Sequence, residues 1–203
     1  MALSVVKLGG SLLLDAKLPP AFRAWLSRRN DERCLVIFGG GGLADAIRQV
    51  DQIHLLTPET AHWLAVDAMR VTARIGHALF PELPLLENWE DVVAWRDDKT
   101  LGHAIWDASS FLRREEPTLT GSPLPLGWHV TSDSIAARAA FVLGKAPLYL
   151  LKSAPALEPN TRRHEARMGR VDLYFPDAAD ELPRVLYENL RDPTSRMVEL
   201  ARC

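Results

Sequence analysis

The chain has 203 residues, 47% hydrophobic and 25% charged, the balance of a folded globular protein with enough apolar side chains for a sizeable core, which excludes a disordered or collagen-like chain. Its 24 basic and 26 acidic side chains give a formal charge of -2, without the cationic surplus that holds a nucleic-acid backbone, and no apolar run approaches the roughly 18 residues of a membrane span. The expectation is a single cytoplasmic domain over residues 1–203, with neither nucleic acid nor membrane as partner, and the only cysteines, Cys34 and Cys203, exclude a disulfide framework or a cysteine zinc site.

The first apolar run, Leu3 to Leu8, stops at Gly9-Gly10 and is hydrophobic at nearly every position, as suits a parallel strand covered on both faces; Lys7 near its end needs an explanation. From Pro19 to Arg29, Phe22, Trp25 and Leu26 fall at helical spacing and predict a crossover helix. Cys34 to Phe38 is a second strand; Gly39 to Gly42 and a helical segment from Leu43 follow it without a linker. Between Pro58 and Phe80, apolar positions including Ala61, Ala65, Ala68, Met69 and Thr72 keep a three-to-four spacing, so a long helix opens with Thr57 as its cap. Residues 83–127, rich in proline and tryptophan, read as irregular, with helical pieces at Trp89–Trp95 and Asp107–Arg114. Thr131-Ser132-Asp133 then caps a helix over Ser134–Leu143, and Pro147–Leu151 is an apolar strand. Glu158–Arg170 is a polar loop or hairpin, Val171–Phe175 a further strand and Ala178–Leu190 a last helix. Strands alternating with helices predict a three-layer α/β/α sandwich on a mostly parallel central sheet, with ligands at the carboxyl ends of its strands.

Both glycine clusters and Lys152 fall at such ends. Gly39 to Gly42 allow close backbone approach, and the helix after them offers unpaired amides and a positive dipole end, so an anion fits there; the plain alternative is a tight strand-to-helix turn. Gly39-x-Gly41-x-x-Ala44 also meets a loose dinucleotide fingerprint, which keeps an oxidoreductase as an alternative, but the acidic strand end expected about 20 residues on is replaced by Thr57-Pro58-Glu59 at a helix start. Lys7-x-Gly9-Gly10-Ser11 joins a cation to flexible backbone, the means to hold phosphate oxygens. Two lysines around one phosphate need a carboxylate to orient them, and Asp133 is the candidate, although a helix cap would account for it equally well. The six histidines show no metal-ligand spacing and no metal ligands are expected; His62, on the long helix, is a polar helix position within possible reach of an acceptor. Trp89, Trp95, Trp106 and Trp128 are either core or the wall of an aromatic pocket.

Val5-Val6-Lys7-Leu8-Gly9-Gly10-Ser11, Val36-Ile37-Phe38-Gly39-Gly40-Gly41-Gly42 and Thr131-Ser132-Asp133-Ser134-Ile135-Ala136-Ala137 together resemble the amino acid kinase superfamily, that of aspartokinase and bacterial uridylate kinase. The segments Ala61 to Met69 and Gly127 to Ser134 are most similar to its short archaeal-type branch, which includes a kinase of methylofuran biosynthesis. The resemblance implies an ATP- and Mg2+-dependent phosphotransferase, a homo-oligomer, acting on a small phosphorylated metabolite, with aminomethylfuran-methyl phosphate going to its diphosphate as the leading substrate. It makes Lys7, Lys152 and Asp133 catalytic. It sets Lys7, Gly9, Gly10, Ser11 and Lys152 on the ATP phosphates, and Gly40, Gly41, Gly42, His62 and Ser132 on the acceptor. One departure stands out: many members carry Asp-Gly-Val after the late strand, where this chain has Ser153-Ala154-Pro155-Ala156-Leu157. The resemblance then implies a nucleotide pocket trimmed or rebuilt from Glu158–Arg170, or a non-catalytic anion-binding subunit of the same fold.

Overall fold

The computed structural model describes residues 2–202. Among them, strands β1 (Ala2–Leu8), β2 (Glu32–Phe38), β3 (Leu85–Leu86), β4 (Ala104–Trp106), β5 (Leu148–Lys152), β6 (Val185–Asn189) and β7 (Val198–Glu199) form one sheet in the order β3-β4-β2-β1-β5-β6-β7. Every pairing is parallel except that of β6 with β7. The helices are α1 (Leu18–Ser27), α2 (Gly41–His54), α3 (Pro58–Leu79), α4 (Trp89–Asp97), α5 (Ser109–Arg114), α6 (Ser132–Val142), α7 (Arg162–Arg167) and α8 (Phe175–Ala178). A 3-10 turn over Gly10–Leu14 follows β1.

Alternation along β1 divides the core in two. Val5 points to one face with Leu148, Leu150 and the alanines of α6, while Val6 and Leu8 point to the other with Phe22 and Trp25 of α1. This is the expected three-layer sandwich. The small side chains Ala136, Ala137, Ala139 and Ala140, all fully buried, let α6 lie close against the sheet. Trp95 and Trp106 are core, and Trp106 packs with Trp89 and Phe111 at ring separations of 5.8 and 4.9 Å, so the tryptophan-rich section is continuous with the core on the α6 face and holds two short strands that its composition conceals.

Three expectations in the last third are corrected. Val171–Phe175 is a turn leading into α8, with Val171 and Phe175 buried as core plugs. The expected helix over Ala178–Leu190 is instead the end of α8, a turn and strand β6. Leu182, Leu186 and Leu190 imitate helical spacing, but Pro183 has no amide hydrogen to continue a helix, and the edge of β5 offers Val185-Leu186-Tyr187 a full row of backbone partners. Glu158–Arg170 holds α7, anchored by two buried charges: the Arg162 guanidinium donates to the carbonyls of Ala179, Leu182 and Leu200, and Glu165 accepts from the Leu157 amide at 2.6 Å.

Candidate active site

β1 and β5 are neighbours with Lys7 opposite Leu150, so Lys152, two residues farther along β5, projects from the same face as Lys7 at the carboxyl edge of the sheet. That face is the one covered by α6, whose second residue is Asp133. The Asp133 carboxylate stands between the ammonium groups: Oδ1 is 3.0 Å from Lys7 Nζ and 2.8 Å from Lys152 Nζ, and Oδ2 accepts a hydrogen bond from Lys152 at 2.8 Å. Lys152 also donates to the Arg170 carbonyl at 2.7 Å. Burial works against the Asp133 carboxylate, yet the two lysines outweigh it and hold its pKa below the usual range. Burial and the repulsion of Lys7 pull Lys152 down, to about 8, against the attraction of Asp133. The triad is thus a buried cluster of net charge +1, poised to attract an anion.

Asp133 does not cap its helix. Asp172, which sequence reasoning missed, does so from outside: its carboxylate accepts from the Thr131 amide and hydroxyl, both at 2.9 Å, from the Ser134 amide at 3.0 Å and from the Ser134 hydroxyl. Burial and the nearby Asp133 raise its pKa. No local pattern marks Asp172, because its partners lie some forty residues upstream; only the loop's return to the sheet edge makes it a cap.

The two glycine turns pack directly on each other. A Cβ on Gly10 would lie 2.2 Å from the Gly41 nitrogen and 2.4 Å from the Gly39 carbonyl oxygen, and Gly41 adopts φ +53°, so the contact of the two turns itself demands glycine. The expected roles change accordingly. Gly9 cannot offer its amide to phosphate, since it donates to the Leu151 carbonyl at 2.8 Å and so finishes the sheet. Gly10 and Ser11, opening the 3-10 turn, have no backbone acceptor for their amides among the described residues. The Ser11 hydroxyl is exposed and shares a 2.9 Å hydrogen bond with Ser153, tying the turn after β1 to the turn after β5.

Gly40, Gly41, His62 and Ser132 meet around one cleft of about 140 Å³, completed by Val66 and Met69 of α3 and by Trp128. Gly42 lies outside it and borders a separate apolar hollow with Leu13, Leu14 and Ile75. His62 is buried, accepts the Gly127 amide on Nδ1 at 3.3 Å and has its pKa lowered by burial, so it is a neutral imidazole whose proton resides on Nε2. Trp128 donates to Asp51 at 2.6 Å, and Arg48 stands over its ring at 4.5 Å. These wall residues belong to the Gly127 to Ser134 phrase and to α2, and composition alone does not separate them from core. The cleft falls below the roughly 300–1,000 Å³ of sites that engulf a drug-sized ligand, and suits a small molecule rather than a whole nucleotide. No cluster of three or more His, Cys, Asp or Glu side chains able to hold a metal occurs among the described residues, and no helix is long and apolar enough to cross a membrane.

A mostly parallel sheet with two glycine turns and a lysine–aspartate–lysine cluster at its carboxyl edge is a fold shared with solved structures of uridylate and aspartate kinases. UMP kinase from Bacillus anthracis superposes with a TM-score of 0.63 over 98% of each chain at 9% identity. Uridylate kinase from Archaeoglobus fulgidus gives 0.56 over 92% of this chain and 90% of that one at 15% identity. Aspartate kinase from Synechocystis gives 0.62 over 100% of this chain but 41% of its own, at 13% identity. At such identities the likeness is one of fold. In sequence, the chain is similar to the [5-(aminomethyl)furan-3-yl]methyl phosphate kinase of Methanocaldococcus jannaschii, 34% identical over 79 residues that span 36% of this chain and 36% of that protein. No protein-family profile matches the sequence.

Proposed function

We propose that the protein is a kinase that transfers the terminal phosphoryl group of ATP to a small phosphorylated acceptor. The observation that carries this is the buried Lys7–Asp133–Lys152 cluster, with both ammonium groups within 3.0 Å of one carboxylate where the amino ends of α2 and α6 converge. Phosphoryl transfer asks a protein chiefly for positioning and for charge stabilisation around the transferring group. Lys7 and Lys152 would supply two positive charges to its equatorial oxygens, and Asp133 would hold them at the spacing the phosphoryl group needs. Gly10 and Ser11 would donate amides to the ATP phosphates, and Gly40, Gly41, Ser132 and neutral His62 would hold the acceptor. A phosphate monoester is largely ionised near neutral pH, so its oxygen can attack without a general base. Mg2+ fits as an ion carried by the nucleotide phosphates, because Asp133 is already engaged by both lysines and Asp172 by the start of α6.

The partial likeness to the methanogen enzyme supports an acceptor such as [5-(aminomethyl)furan-3-yl]methyl phosphate, and the cleft lined by Trp128, Val66 and Met69 has the size and apolar walls for a small ring. A homo-oligomer and a cytoplasmic location complete the reading. The test is ADP formation by purified protein with ATP, Mg2+ and a panel of phosphorylated acceptors. Acceptor-dependent ADP release is expected; ATP binding with no turnover on any acceptor would move the chain to the non-catalytic anion-binding reading.

A further inference from the structure

The cleft beside Gly40 and Gly41 is too small for a nucleoside, and Glu158–Arg170, the sequence candidate for a rebuilt nucleotide pocket, is packed around buried Arg162 and Glu165. A second, larger cavity of about 320 Å³ lies on the other face of the sheet, between α1 and the end of β6. We propose that this cavity seats the nucleoside of the phosphoryl donor, an inference that rests on the kinase reading above.

Position is the first argument. The cavity is at the carboxyl ends of β1 and β6, where open parallel sheets bind ligands, and its lining continues straight from the phosphate platform: the Leu190 amide donates to the Lys152 carbonyl at 2.9 Å. Arg191, the next residue, reaches back to the Ser11 carbonyl at 3.2 Å and to Asp15 at 3.4 Å, so one side chain joins the cavity to the glycine turn after β1. In-line transfer is the second argument. Donor and acceptor must approach the transferring group from opposite sides. The acceptor cleft and the two lysines lie on the α6 face and this cavity on the α1 face, with the glycine turns at the edge between them.

Chemistry is the third. Leu12, Leu18 and Leu190 make an apolar floor for a base, while Ala21 and Ala24 leave the α1 side open to it. Lys17, Arg28 and Arg191 on the rim are balanced by Asp15, Glu188 and Asp192, and Asp15 and Asp192 carry carboxylates of the kind that accept from ribose hydroxyls. An apolar floor with a few convergent polar groups is the usual composition of a cofactor-sized site.

The experiment compares two probes by titration calorimetry on the whole chain: ATP with Mg2+, which would use platform and cavity together, and inorganic tripolyphosphate, which would use the platform alone. Ala24 is exposed on α1, so Ala24→Trp fills the cavity from outside the core; it should weaken ATP at least about tenfold, some 1.4 kcal/mol, and leave tripolyphosphate unchanged. Arg191→Gln serves as a second variant, expected to weaken ATP more than tripolyphosphate while circular dichroism stays native. ATP affinity unchanged in both variants would overturn the cavity assignment and leave the kinase reading intact. Wild-type protein binding neither probe would overturn both.

Discussion

Replacing Asp133 by Asn removes the one carboxylate between two buried ammonium groups while keeping its shape. At 2.8–3.0 Å, and with an effective dielectric constant of about 20, each ion pair has a gross Coulomb energy of roughly 6 kcal/mol, most of it offset by the desolvation of the charges. What decides the outcome is the charge left behind: breaking a buried pair from one side typically costs about 3–5 kcal/mol, a large part of the roughly 5–15 kcal/mol that holds a domain together. The loss should depend on pH in a definite direction. Lys152 already releases its proton near 8, and without Asp133 its pKa falls further, so raising the pH discharges one of the stranded lysines. Asp133→Asn should therefore cost about 3–5 kcal/mol at pH 6 and clearly less at pH 9. Urea unfolding followed by tryptophan fluorescence at both pH values measures this. A loss below about 1 kcal/mol at pH 6, or a larger loss at pH 9, would refute the account of Asp133 as the organiser of the two lysines.

Lys7→Ala should lower kcat by roughly two or more orders of magnitude, the effect of deleting a preorganised donor to a transition-state oxyanion, and near-normal turnover in a natively folded variant would sink the role. The wild-type pH profile should separate free from bound enzyme: kcat/KM falls above pH of about 8 as free Lys152 loses its proton, while kcat holds to higher pH because bound phosphates favour the charged form. For stability the same group acts in the opposite sense. Between about 8 and its ordinary value of 10.5 the unfolded chain binds the proton that the native chain has released, so this group's contribution to stability rises with pH across that window, which urea midpoints would show. Gly10→Ala should destabilise the chain by more than about 2 kcal/mol, since its Cβ would lie 2.2 Å from backbone, whereas Gly42→Ala meets open space and should be neutral or slightly stabilising; equal effects in thermal melts would contradict the packing of the two turns.

The fold was legible from β1 through α3 and again from α6 to β5, because local pattern and tertiary need agree there, whereas β3 and β4 are too short to show in the tryptophan-rich section between. The apolar run of β1 and the spacing of α3 each report burial directly, and Lys7, Asp133 and Lys152 stood out as charges at the ends of apolar elements. The last third misled because its partners are remote. Leu182, Leu186 and Leu190 carry helical spacing, but the open edge of β5 outweighs it; the charges of Arg162 and Glu165 suggest a solvated loop, yet both are buried against carbonyls and amides that only the folded chain brings near. At the site, the glycines were read for their freedom toward a ligand, but Gly10 and Gly41 are required first by each other, and the contribution of Gly9 is a sheet hydrogen bond.

The stretch after β5, Ser153-Ala154-Pro155-Ala156-Leu157 in place of Asp-Gly-Val, ties the lysine–aspartate cluster together from outside. From Lys152 the backbone runs away through Ser153-Ala154-Pro155, forms α7, and returns at Arg170-Val171-Asp172, where the Arg170 carbonyl takes a hydrogen bond from Lys152 and the Asp172 carboxylate collects four from Thr131 and Ser134. One returning loop therefore grips both the second lysine and the start of the helix that presents Asp133. Its interior is fixed by Arg162 and Glu165, so it acts as a brace for the carboxyl edge rather than a pliable wall. A brace in that position occupies the α6 face beside β5, and the larger cavity at this edge lies on the α1 side.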